Sequence, residues 1–153
     1  MVAKWFIPER LSDEAARFLD DEHELASPDL MWAEIGDVLW KKSRAGELAG
    51  QEAVRIIRAL DSFPVTAFAT RLVLEGALEI ALSTGCTVYD GVYLALAVAL
   101  DCRLVTADDR FAHALADGPL GRHVLWVGDA WPLQSKRRSR QSGIRSRRRA
   151  LNA

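Results

Sequence analysis

Glu34, Asp90 and Asp108 are the residues of this 153-residue chain best suited to chemistry. Each is a carboxylate among apolar neighbours. Glu34 stands beside Trp32, Ile35 and Val38, Asp90 stands between Val88-Tyr89 and the run Val92–Leu100, and Asp108 follows Leu104-Val105-Thr106-Ala107. A carboxylate deprived of water needs a counter-charge or a metal. Residues 80–110 offer only Arg103 and Arg110 as cations. Carboxylates gathered with so little basic company repel one another, and a hard divalent cation such as Mg2+ relieves the repulsion. Simpler roles are open to each. Asp90, and Asp108 or Asp109, could cap the helix that follows, and Glu34 could pair with Lys41 or Lys42 along its own helix. His23, His113 and His123 have no Ser or Cys partner at a recognisable spacing, so triad chemistry lacks a pattern. Cys86 and Cys102 make neither a disulfide framework nor a metal knuckle, and the glycines match no phosphate-binding loop.

The elements that must position these carboxylates alternate between helix and strand. Residues 12–19 read as a short capped helix and residues 24–27 as a short strand. Ser27-Pro28-Asp29 has the order of an N-cap followed by proline at the first helical position, opening a helix that runs to Ala45 and stops at Gly46. Helices are predicted over 51–60 and 70–83, and residues 64–66 read as either a short strand or an extended connection. Asp90 precedes an apolar helix over 92–100, strands follow at 103–106 and 123–127, and a helix covers 108–116 between them. Short strands separated by helices indicate an α/β domain with a mostly parallel sheet. Such sheets place ligands beyond the carboxyl ends of their strands, which is where Asp108 falls.

Composition bounds the alternatives. Half the residues are hydrophobic and 27% are charged, which excludes wholesale disorder and a fibrous repeat. No apolar run reaches the roughly 18 residues of a membrane span, and the sparse cysteines point to a reducing cytoplasm. The net charge of −1 hides an asymmetry. Residues 1–133 hold 12 basic and 21 acidic residues, a net of −9, whereas residues 134–153 hold eight basic residues and no acidic one. We therefore expect a folded domain over 1–133 and a basic, disordered tail over 134–153. Lys136, Arg137, Arg138 and Arg140 of the tail are candidates for gripping an RNA backbone.

Four blocks carry a resemblance: Lys4-Trp5-Phe6-Ile7-Pro8-Glu9, Trp32-Ala33-Glu34-Ile35-Gly36-Asp37-Val38-Leu39, Tyr89-Asp90-Gly91-Val92-Tyr93-Leu94-Ala95-Leu96-Ala97, and Leu104-Val105-Thr106-Ala107-Asp108-Asp109-Arg110-Phe111. In this order they resemble the PIN-domain family, and most closely its VapC-type toxins. The resemblance implies a three-layer α/β/α fold and a metal-dependent endoribonuclease, the toxin of a bacterial toxin–antitoxin pair. It implies Mg2+ or Mn2+ held by Glu34, Asp90 and Asp108, with Thr106 orienting the cluster and Asp109 a weaker candidate beside it. It also implies an RNA substrate, a cognate antitoxin of the VapB kind, a homodimer and no membrane.

The chain departs from the family pattern in one respect. The family's first strand and the catalytic aspartate at its end, which precede the segment matching Lys4-Trp5, have no counterpart after Met1. Two explanations are open. The assigned start lies downstream of the true one, which the intact remainder of the series favours, or the chain is a truncated, inactive copy that only binds an antitoxin or RNA.

Overall fold

A computed structural model describes residue 5, residues 10–19 and residues 23–129. Apart from Trp5, the block Lys4–Glu9 lies outside these residues, as does the tail with Lys136, Arg137, Arg138 and Arg140. The chain divides into two compact units, Met1–Ala67 and Phe68–Ala153.

The N-terminal unit begins with α1 (Ser12–Ala16), extended by a 3-10 turn over Arg17–Leu19. Ser12 does not cap this helix. The cap is Leu11, held in the left-handed region at φ 69° and making no side-chain capping bond. Strand β1 (Leu25–Pro28) follows, then α2 (Leu30–Arg44) and α3 (Gly50–Ala59). The expected Ser27-Pro28 helix start is therefore corrected. Both residues are buried at the end of the strand, and the Ser27 hydroxyl donates to the Pro28 carbonyl at 3.2 Å, so it does not cap α2. Along α2, Met31, Ile35 and Leu39 recur every four residues and are all buried, which makes them the stripe facing the core. Trp5 donates its indole N–H to the Ala15 carbonyl at 2.7 Å and lies 5.0 Å from the Phe63 ring, closing this core.

Strand β2 (Val65–Phe68) pairs with β1 in a two-stranded sheet. A 3-10 turn at Thr70–Val73 leads into α4 (Leu74–Thr84), which ends at Gly85 with φ 76°, a left-handed conformation that glycine adopts without a Cβ penalty. Helix α5 (Val88–Ala99) is the core of the C-terminal unit, with Gly91, Val92 and Leu94 to Ala97 buried. It packs on α4 and touches β3 (Leu104–Thr106). Helix α6 (Asp109–Leu115) then crosses over to β4 (Val124–Trp126), reached through a 3-10 turn at Gly121–His123. β3 and β4 are parallel, with Leu104, Val105 and Thr106 opposite Val124, Leu125 and Trp126. A parallel pair needs such a crossover, because a tight turn cannot return the chain in the same direction.

The alternation of helices and short strands is that of a layered α/β fold. Among the described residues the sheet consists of two separate two-stranded pieces, β1–β2 and β3–β4. His123 is buried beside the second piece. Its Nδ1–H donates to the Cys102 carbonyl at 2.9 Å and its Nε2 accepts from Arg122 at 3.0 Å, so its polar atoms are satisfied locally. No single helix among the described residues is long and apolar enough to cross a membrane.

Candidate active site

The start of α5 is built around a threonine. Thr87 is the N-cap, and its Oγ1 accepts the Asp90 N–H at 3.1 Å. The same hydroxyl donates to Asp90 Oδ2 at 2.7 Å. Asp90 is thus the third residue of the helix and not its cap. It sits half-buried in the first turn, where the helix dipole favours an anion. The next residue fixes the turn in place. A Cβ on Gly91 would stand 2.5 Å from the Ala77 carbonyl oxygen, so α4 and α5 meet backbone to backbone one residue from Asp90.

Asp108 caps α6, its Oδ1 accepting the Phe111 N–H at 3.0 Å. Its own N–H donates to Thr106 Oγ1 at 3.1 Å, which ties it to the last residue of β3. Thr106 is half-buried, whereas Asp108 and Asp109 are exposed. The apolar shielding expected of Asp108 ends with the strand, since the chain turns outward there to start α6. Asp109 caps nothing. It lies in the first turn of α6 and its carbonyl accepts His113 Nδ1–H at 2.6 Å.

Glu34 is half-buried on α2, in the N-terminal unit. Lys41, one of the partners considered for it, pairs instead with Asp37 one turn back at 2.7 Å, and Lys42 holds Glu47 at 3.1 Å.

The C-terminal unit therefore joins Thr106 to Asp108 by a direct bond and carries Asp90 on the helix packed against the same strand. Among the described residues no three His, Cys, Asp or Glu side chains gather closely enough to hold a metal ion. The donor chemistry nonetheless suits Mg2+ or Mn2+, which take oxygen ligands. The local hydrogen bonds occupy Oδ2 of Asp90 and Oδ1 of Asp108, and the second oxygen of each carboxylate takes no part in them.

Sequence reasoning missed Thr87. The signal was present, since Thr87-Val88-Tyr89-Asp90 ahead of an apolar run is the Thr-x-x-acid pattern of a capped helix start.

The description of the PIN domain matches residues 2–115, a span that includes Glu34, Asp90, Thr106, Asp108 and Asp109. Ribonuclease VapC3 of Pyrobaculum aerophilum is 36% identical over 115 residues, which are 72% of this chain and 86% of that relative. The chain belongs to the PIN-domain family, on its VapC-type branch.

Proposed function

We propose that the chain is a metal-dependent endoribonuclease, the toxin of a toxin–antitoxin pair, working in the cytoplasm on RNA and neutralised by a cognate antitoxin. Its relative is named a ribonuclease, and the observation that carries the reading is the arrangement of two aspartates. Each is oriented through one carboxylate oxygen by its own helix start and leaves the other oxygen for a ligand. Asp90 and Asp108 are the proposed ligands of Mg2+ or Mn2+, Glu34 joins them on the family resemblance alone, and Asp109 is a weaker candidate. A homodimer belongs to the same proposal. The face it would use is α4, where Leu74, Leu78 and Leu82 recur every four residues and are exposed. The domain is taken to span 1–133, followed by a basic tail over 134–153 that grips the RNA backbone through Lys136, Arg137, Arg138 and Arg140.

When bound, the ion supplies charge neutralisation at the scissile phosphate and an activated water. The protein's own part is positional. Thr87 fixes the rotamer of Asp90, the Phe111 N–H fixes that of Asp108, and Thr106 accepts from the Asp108 backbone while keeping its hydroxyl proton to donate. Preorganised ligands of this kind lose little freedom on binding.

Cleavage of a structured RNA tests the reading. We expect cutting with Mg2+, none with EDTA, and at least a hundredfold loss in Asp90→Asn, on the order of the loss of one main charge-stabilising group. Metal-independent cutting, or an undiminished Asp90→Asn protein, refutes it. A second reading, binding of an antitoxin or RNA without cutting, is favoured by the absence of a gathered three-carboxylate group among the described residues. Tight RNA binding with no cutting at any metal concentration selects it.

A further inference from the structure

We propose that Gly36, Trp40 and Arg44 on α2 form a stacking platform for one base of single-stranded RNA, separate from the carboxylates. The proposal rests on the RNA-directed reading above and adds a contact that recognises the substrate.

Trp40 follows Leu39 on α2, so it is turned about 100° away from the buried stripe. It is 57% exposed, although an indole is usually covered. Arg44, one turn further on, holds its guanidinium carbon 5.6 Å from the indole centroid. One turn earlier stands Gly36, where an added Cβ would meet nothing within 4 Å. Glycine, arginine and tryptophan therefore share one helix face at a spacing of four, and the glycine leaves an open slot at the side of the ring toward which helical side chains lean. A glycine inside a helix is unfavourable relative to alanine, so the slot is not free to keep.

Charge selects the occupant. Lys41 is answered by Asp37 and Lys42 by Glu47, but Arg44 pairs with no carboxylate among the described residues. A guanidinium over an exposed indole suits a base together with its phosphate, because the ring stacks on any base and the cation meets the backbone. A protein partner would call for apolar neighbours, and around Trp40 the residues three and four away are Gly36, Asp37, Ser43 and Arg44.

The test is fluorescence anisotropy of a short labelled single-stranded oligoribonucleotide with the full chain, in EDTA so that no cutting accompanies binding. Trp40→Ala should weaken binding about five- to 150-fold, and Trp40→Phe should restore most of it. Arg44→Ala should reduce the slope of log affinity against log salt by about 0.7, one counterion contact on a single strand. Gly36→Leu should fill the slot and weaken binding while leaving the thermal midpoint unchanged or higher. Wild-type affinity in Trp40→Ala overturns the platform. So does a Trp40→Ala protein that loses self-association in sedimentation while binding RNA normally, since the face then belongs to a protein. Because binding is read without metal, failure here leaves the Mg2+ and Asp90→Asn result standing, and failure of that result leaves the platform standing.

Discussion

Replacing Thr87 with alanine removes two hydrogen bonds that meet at one oxygen. The first is the helix cap, the Asp90 N–H on Oγ1 at 3.1 Å. Loss of an N-cap typically costs about 1 kcal/mol. The second is the hydroxyl's bond to Asp90 Oδ2 at 2.7 Å, a charge-assisted contact at an exposed residue. Solvent competes for both groups there, so the second bond adds about 0.5–1 kcal/mol, the low end for a hydrogen bond. The total is about 1.5–2 kcal/mol, and α5 is the core helix of its unit, so the loss should reach global stability. For a chain of this size that lowers the thermal midpoint by about 3–8 °C. Urea unfolding followed by far-ultraviolet circular dichroism should show a lower midpoint at an unchanged slope. Thr87→Val, which keeps the shape and deletes the hydroxyl, should match alanine, and Thr87→Ser should recover to within a few tenths of a kcal/mol. A second reading separates orientation from stability. The Mg2+ concentration needed for half-maximal cutting should rise in Thr87→Val and return in Thr87→Ser. If valine is as stable as threonine, or serine is as poor as alanine, the double role of the hydroxyl is wrong. If only stability moves, Thr87 is a cap and nothing more.

Two further substitutions follow from the same unit. Gly91→Ala pushes a methyl into the Ala77 carbonyl and forces α4 off α5, and overpacking of this kind costs about 1–3 kcal/mol, so a melting curve like that of the wild type would refute the close approach. Asp108→Ala should lose about 1 kcal/mol with the cap of α6, whereas Asp108→Asn keeps an accepting oxygen and should melt normally. Both should lose cutting if Asp108 is a ligand, so a fully active Asp108→Asn protein would leave it a cap alone.

Much of the C-terminal unit was legible in the sequence because its signals are local. The apolar run Val92–Leu100 after Asp90 is longer than most buried strands and reads as a buried helix, Gly85 marks the end of α4, and the short Leu104–Thr106 run is bounded closely enough to read as a strand. Boundaries failed where a residue had two uses. Pro28 suits both the first turn of a helix and the end of a strand, and pairing of β1 with β2 decided for the strand. Ser12 is a good cap by type, yet the chain enters α1 through a left-handed Leu11, which no side-chain preference announces. At the candidate site the sequence singled out Asp90, Thr106 and Asp108 near the starts of α5 and α6, while the bonds that orient them were not legible. Asp90 was weighed as the cap of α5, but the hydroxyl three residues earlier holds that place.

For Asp108 the two readings, helix cap and proposed metal ligand, do not compete, and Asp90, though not the cap of α5, is held at its helix start through one oxygen in the same way. An ionised carboxylate has two oxygens and about four acceptor sites, and a cap or a threonine hydroxyl uses one. A carboxylate free to rotate would lose that freedom on meeting an ion, and carboxylates held only by the ion would repel one another until it arrived. Anchoring one oxygen to the helix start removes most of the rotational loss in advance and places the residual charge against a helix dipole that stabilises it. The stability gained by α5 and α6 from these bonds thus offsets part of the cost of keeping acidic groups at the end of β3 and beside it. On this argument a substitution that keeps the cap and removes the charge is the sharper probe, because it leaves the helix start as it was and alters only what the second oxygen can bind.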